Sequence, residues 1–191
     1  MRKLGLYFIA LSIALSLLAL APISHVKAAS GNIVGTWIVT VTVNTPPGAP
    51  PFVFTDLIAF NSGGTLTATS STFNAHTSEN PLLPPPLVVD TSDGYGNWKP
   101  QGDDAKQVAL TFNRFLFAGA NTSTALYGSF FPGQNVGVNA VQAVGTFQPG
   151  KNGDALTGSF TNQFVNLGGE VVFAGNGTFT AVRLGIEPLT P

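Results

Sequence analysis

The chain has few side chains of the kinds that usually carry catalysis or bind metal ions. It contains no cysteine and only two histidines, His25 and His76. A zinc site needs three or four protein ligands, so His76 by itself predicts none. The Gly-x-Ser-x-Gly motif of α/β-hydrolases is absent, and Asp90-x-x-Asp93-Gly94 matches no complete calcium loop. We therefore expect no catalytic residue, no metal and no cofactor.

Three polar residues interrupt otherwise apolar faces of predicted strands. Asp56 lies on the same face as Phe54 and Ile58, and Arg114 and Asn162 break two further apolar faces in the same way. A charge buried without a partner is strongly destabilising, so Asp56 and Arg114 would have to pair with each other, with water or with a ligand. We expect a polar anchor inside an apolar pocket, with these ligand contacts: Asp56, Arg114, Asn162, Phe60, Phe112 and Tyr127.

Two other interpretations of these polar residues stay open at this point. Asp56 and Arg114 could form a purely structural buried pair, or the faces could be assigned wrongly by one residue. If Asp56 lay elsewhere, Arg114 would suit a carboxylate ligand, because guanidinium groups bind carboxylates through two parallel hydrogen bonds.

The elements that must position these residues are strands. Alternation of apolar and polar residues dominates the chain after residue 29, and no segment there keeps a helical period. We predict an all-β fold, a single eight-stranded antiparallel up-and-down barrel, because closure removes the two exposed edges of an open sheet. The strands are expected at 34–43, 52–60, 65–73, 95–99, 106–117, 138–148, 154–165 and 170–183.

The connections differ in length in a regular way. The first, third and fifth, at 44–51, 74–94 and 118–137, are long. The second, fourth and sixth, at 61–64, 100–105 and 149–153, are short. Alternate connections of such a barrel lie at opposite ends, so we expect one closed end and one end framed by long loops. The aromatic residues of the long loops, Tyr127 among them, could gate a ligand or fix the loops onto the barrel.

The first 28 residues have the features of a signal peptide. Two basic residues precede an apolar run that ends at Pro22, and Val26-Lys27-Ala28 offers a cleavage site. We expect cleavage after Ala28, leaving 29–191 as one barrel domain that is secreted or periplasmic. Without cysteine, the mature chain has neither a lipid-anchored cysteine nor disulfides, and we expect no stable membrane insertion.

The charge of the mature chain argues against one class of partner. Five basic and nine acidic residues follow Ala28, a net charge of −4. So few cations would neutralise little phosphate, so we expect no nucleic-acid partner. Nothing in the composition predicts the oligomeric state.

The first and the last predicted strands carry a short motif that is also found in a known superfamily. Gly35-Thr36-Trp37 begins the first strand and Arg183 ends the last. This arrangement resembles the calycins, which include lipocalins, fatty-acid-binding proteins and avidins. The resemblance implies that Trp37 closes one barrel end beneath Arg183, which makes Gly35, Trp37 and Arg183 structural. The chain lacks the disulfide and late helix of lipocalins and a recognisable biotin-ligand set. It also resembles small secreted bacterial barrels of unassigned function and, less closely, allene-oxide-cyclase-type barrels.

From these features we expect an exported barrel that binds a small apolar or amphipathic molecule in its interior. One alternative is a cofactor-independent isomerase or cyclase that uses the same cavity. A second is a structural or surface-interaction barrel whose interior is filled by its own side chains, since the chain has 15 phenylalanines. Export favours binding over catalysis, because a compartment poor in cofactors favours proteins that capture molecules over those that need cellular cofactors.

Overall fold

The computed structural model describes residues 33–44, 51–71, 84–102, 106–150 and 154–185. These residues form an all-β protein with one short helix, α1 (Thr124–Tyr127), and one 3-10 turn, which we call the rim turn (Pro85–Leu87). The strands are β1 (Gly35–Val43), β2 (Phe52–Phe60), β3 (Thr65–Ser70), β4 (Asp90–Thr91), β5 (Gly94–Gln101), β6 (Gln107–Phe117), β7 (Asn135–Gln148), β8 (Ala155–Asn166) and β9 (Val171–Arg183).

The sheet closes on itself as an antiparallel barrel of eight strands. Going round the wall, each strand pairs with the next in the order β1, β2, β3, β5, β6, β7, β8 and β9. The pairing of β9 with β1, in which Trp37 lies opposite Arg183, closes the ring. The two-residue β4 pairs with the end of β6 and extends the line of β5. The predicted fold class is therefore confirmed.

Alternation along the strands separates the interior from the surface. On β1, Trp37, Val39 and Val41 are buried, whereas Ile38 and Thr40 between them are exposed. Apolar residues thus occupy the inner face of the strand, as burial of one side of a sheet requires.

Strand bounds agree with the prediction except at a few ends. β7 begins at Asn135, three residues before the predicted start, and β4 was not predicted at all. The ladder between β6 and β7 shifts register next to Phe117, which lets β7 extend past Gly137. The predicted signal peptide, the proposed cleavage site, His76 and most of the first long connection lie outside the described residues.

One end of the barrel is closed by a compact group of side chains. Trp37 is fully buried, and its Nε1 donates a hydrogen bond to the Ile33 carbonyl at 2.8 Å. The guanidinium carbon of Arg183 lies 4.8 Å from the centre of the Trp37 rings. Arg183 Nη1 donates to the Val34 carbonyl at 2.5 Å, and its Nε lies 2.8 Å from Asp154 Oδ2.

Gly35 has a steric role at this closed end. Its φ of +137° is a conformation that residues with side chains rarely adopt, and a Cβ there would lie 3.0 Å from Arg183 Nη1. A glycine two positions before Trp37 therefore leaves the space that the guanidinium occupies over the indole.

Phenylalanine rings also lie close to glycines of the wall, where a side chain would collide with them. A Cβ on Gly94 would come within 2.7 Å of the Phe112 ring, and one on Gly158 within 2.7 Å of the Phe179 ring. Phe160 covers Gly177 in the same way, with its ring 2.7 Å from the position of a Cβ.

A second apolar cluster lies at the opposite end of the barrel, where β6 ends and β7 begins. It includes Val89, Leu116, Tyr127, Val136 and Phe164, separate from the main core.

No helix in the described residues is long and apolar enough to cross a membrane.

Candidate functional site

The barrel encloses a cavity of about 400 Å³. Towards the closed end it is lined by Phe60 and Ile58, which lie opposite Gly35 and Trp37 in the β1–β2 ladder. Towards the other end it is lined by Leu87 of the rim turn, which packs against the second apolar cluster. Its described lining is apolar except for five residues: Asn44, Asp56, Arg114, Asn139 and Asn162. A volume of this size lies within the range of about 300–1,000 Å³ seen for small-molecule sites.

An ion pair joins a residue of β2 to a residue of β6. Arg114 Nη2 donates a hydrogen bond to Asp56 Oδ2 at 2.7 Å, and both side chains are almost completely buried. β3 and β5 lie between these two strands in the wall, and Ser70 of β3 is directly opposite Asp56. The guanidinium carbon also lies 5.4 Å from the centre of the Phe112 ring, close enough for a cation–π contact.

Burial dominates the electrostatics of this pair. It raises the pKa of Asp56 above its ordinary value, while attraction to Arg114 and a hydrogen bond with Ser70 oppose that rise. Burial lowers the pKa of Arg114, and the charges of Asp56 and Asp93 oppose that fall. The two opposite charges balance, so the pair adds no net charge to the cavity.

Two asparagines continue the polar part of the wall on the neighbouring strands. Asn139 is opposite Arg114 in the β6–β7 ladder, and Asn162 Nδ2 lies 3.5 Å from Asn139 Oδ1. Together with the ion pair they form what we call the polar belt: Asp56, Arg114, Asn139 and Asn162. Apart from the belt and Asn44, the described lining of the cavity is apolar.

Hydrogen-bonding capacity is left over in the polar belt. Asp56 Oδ1, Arg114 Nη1 and Asn162 Oδ1 are buried and have no hydrogen-bond partner among the described residues. A buried polar atom left without a partner costs about 1–3 kcal/mol. A molecule in the cavity that hydrogen-bonds these atoms would therefore gain binding energy there, since the protein itself provides only one bond between the two charged groups.

Five of the six predicted ligand contacts are brought together by the fold. Asp56, Arg114, Asn162, Phe60 and Phe112 all line the cavity. Their role as ligand contacts stays a prediction.

Tyr127 is the exception, because it is not among the lining residues. It lies in α1, where its hydroxyl donates to the Pro86 carbonyl at 2.5 Å, and it packs in the second cluster. Burial raises the pKa of its phenol. Tyr127 therefore contacts the rim turn, and its predicted role as a ligand contact stays a prediction.

One lining residue of the polar belt was missed. Asn139 is on the same face of β7 as Val141, Ala143 and Phe147, so the parity that identified Asp56 and Arg114 would have identified it. Within the described ranges there is no group of three or more residues able to hold a metal ion.

Comparisons with known proteins found no similarity. No protein-family model, no curated protein and no solved structure matches the chain.

Proposed function

We propose that this protein is an exported carrier that binds a small, predominantly apolar molecule inside its barrel. The observation that carries the proposal is the cavity of about 400 Å³, with an apolar lining and three buried polar atoms without a partner among the described residues. Small-molecule sites typically combine such a lining with a few polar groups that fix orientation. The Asp56–Arg114 pair supplies two of these groups.

The architecture supports a place near the calycins. The closed antiparallel barrel and the stacking of Arg183 on Trp37 at one end are features that the superfamily combines with a ligand cavity at the other. Export is proposed from the signal-like residues 1–28.

Binding is tested with the uncharged fluorescent dye Nile red and the purified mature chain. We expect saturable fluorescence enhancement, and native mass spectrometry should show one dye per barrel. Ala143 lines the cavity, so Ala143→Phe should fill it and abolish binding.

The matched control is Val144→Phe on the neighbouring residue, whose side chain is exposed on the outer surface. This variant adds an aromatic ring to the same strand outside the cavity and should bind the dye normally. If the wild-type chain binds no dye, or if Ala143→Phe binds as well as Val144→Phe, the proposal is wrong.

A further inference from the structure

The chemistry of the polar belt narrows the class of ligand, on the premise that the proposed function holds. We infer that the cavity selects uncharged molecules with a hydroxyl group flanked by apolar segments, and discriminates against carboxylates. The inference rests on the charge balance of the belt, the identity of its unpartnered atoms and their depth in the cavity.

Charge balance disfavours an anionic ligand. Arg114 is the only cation in the described lining, and it is already bound to Asp56 at 2.7 Å. Asp93 adds a further negative charge near the guanidinium. A carboxylate in the cavity would therefore be buried close to Asp56 without a free cation, which is costly in a poorly solvated site.

The unpartnered atoms of the pair fit a hydroxyl group. Arg114 Nη1 is a donor and Asp56 Oδ1 is an acceptor, and neither has a partner among the described residues. They belong to two groups already joined through their other atoms, Nη2 and Oδ2. One hydroxyl can accept from the first and donate to the second, whereas a ketone can only accept.

The depth of the belt indicates where on the ligand the hydroxyl lies. On β2, Asp56 has the lining residues Phe52 and Phe54 on the outer side and Ile58 and Phe60 on the inner side. On β8, Asn162 likewise lies between Phe160 and Phe164. Apolar wall continues in both directions from the belt, so a ligand with apolar segments on both sides of its hydroxyl suits the cavity better than one with a polar end.

Four compounds with nine carbons test this preference by displacement of Nile red: dibutyl carbinol, dibutyl ketone, nonane and nonanoate. We expect dibutyl carbinol to bind most tightly, and at least about tenfold more tightly than ionised nonanoate, as expected for one buried hydrogen-bonding mismatch or more. Nonyl alcohol, with its hydroxyl at the end of the chain, should bind more weakly than dibutyl carbinol.

The variant Asp56→Asn tests the cause of the selectivity. It keeps the size of the side chain and removes the charge that balances Arg114, so affinity for nonanoate should rise at least about tenfold relative to dibutyl carbinol. Circular dichroism establishes that the variant is folded. If the variant does not fold, the order of affinities of the nine-carbon compounds for the wild-type protein tests the selectivity by itself.

The outcomes separate this inference from the proposed function. If wild-type protein binds Nile red but nonanoate displaces it as well as dibutyl carbinol does, the inference is overturned and the carrier proposal stands. If folded Asp56→Asn keeps the wild-type ranking, the charge explanation is overturned. If Nile red itself does not bind, the carrier proposal has failed first.

Discussion

Two arginines point into the barrel, one at the closed end and one in the cavity, and they are bound very differently. Arg183 stacks on Trp37, donates to the Val34 carbonyl and forms an ion pair with Asp154. Arg114 has an aromatic and an acidic neighbour too, Phe112 and Asp56, yet its Nη1 has no partner in the described part of the chain.

Similar residue types therefore serve different purposes at the two places. The contacts at the closed end are made between protein groups and hold the first strand to the last. In the polar belt, one donor and two acceptors are buried without a partner among the described residues. The number of unused hydrogen-bonding atoms, rather than the residue types, distinguishes the structural site from the candidate binding site.

The largest effect is expected from removal of the indole at the closed end. Trp37→Ala deletes a fully buried aromatic side chain and should lower the free energy of unfolding by about 3–5 kcal/mol. Urea denaturation measures the change. Trp98→Ala is the control, because Trp98 is only partly buried and should cost less. Equal losses would contradict the structural role assigned to Trp37.

A loss of comparable size is expected when the cavity pair is broken on one side. Arg114→Met leaves Asp56 buried without its cation and should cost about 3–5 kcal/mol near neutral pH. The double variant Asp56→Asn/Arg114→Met leaves no buried charge and should recover most of that loss. Failure of the double variant to recover stability would mean that Arg114 acts through packing instead of charge.

The Arg114→Met variant should also depend on pH in a defined direction. Burial raises the pKa of Asp56 in the folded chain above its ordinary value of 3.8, so the folded state takes up a proton before the unfolded state does. Stability should therefore rise as the pH falls towards 3.8. Denaturation at several pH values tests this, and the double variant should not show the rise.

A smaller effect is expected from the arginine at the closed end. Arg183 is partly exposed, so Arg183→Met should cost about 1–2 kcal/mol through the lost contact with the indole, with little from its ion pair. Nile red affinity should stay unchanged, in contrast to changes at Arg114. A marked loss of dye binding in a folded Arg183→Met variant would show that the two ends are coupled.

The smallest effect is expected at the rim turn. Tyr127→Phe removes only the hydroxyl that donates to Pro86 and should cost about 0.5–1.5 kcal/mol. Because Leu87 of that turn lines the cavity, we expect faster dissociation of Nile red in stopped-flow measurements. Tyr95→Phe is the control, since Tyr95 is 64% exposed. An equal change in both variants would exclude a specific role for Tyr127.

Much of this architecture could be predicted because alternation reports the inner and outer faces of a strand directly. The same parity is sufficient to assign Asp56, Arg114 and Asn162 to the inner face from the sequence alone. Asn139 has the same parity on its own strand, yet it was not among the predicted contacts.

Other features could not be predicted because they depend on contacts between distant residues. The bond between Arg114 and Asp56 joins β6 to β2, which β3 and β5 separate in the wall, and a strand pattern does not reveal such a contact. Tyr127 lies in an irregular connection with no period, so its orientation towards Pro86 had no signal in the sequence. The two residues of β4 are too few for alternation to detect.

The glycines beneath the phenylalanine rings make the size of the interior adjustable independently of its chemistry. A methyl group added at Gly145, for example, would lie 3.0 Å from the Phe179 ring, which lines the cavity, and would displace that ring. Such a change would narrow the space while leaving Asp56 and Asn162 unaltered. In related barrels, substitutions at wall glycines could change the size of the molecule that binds. Substitutions in the polar belt could change the polarity of that molecule, so the two properties can evolve separately.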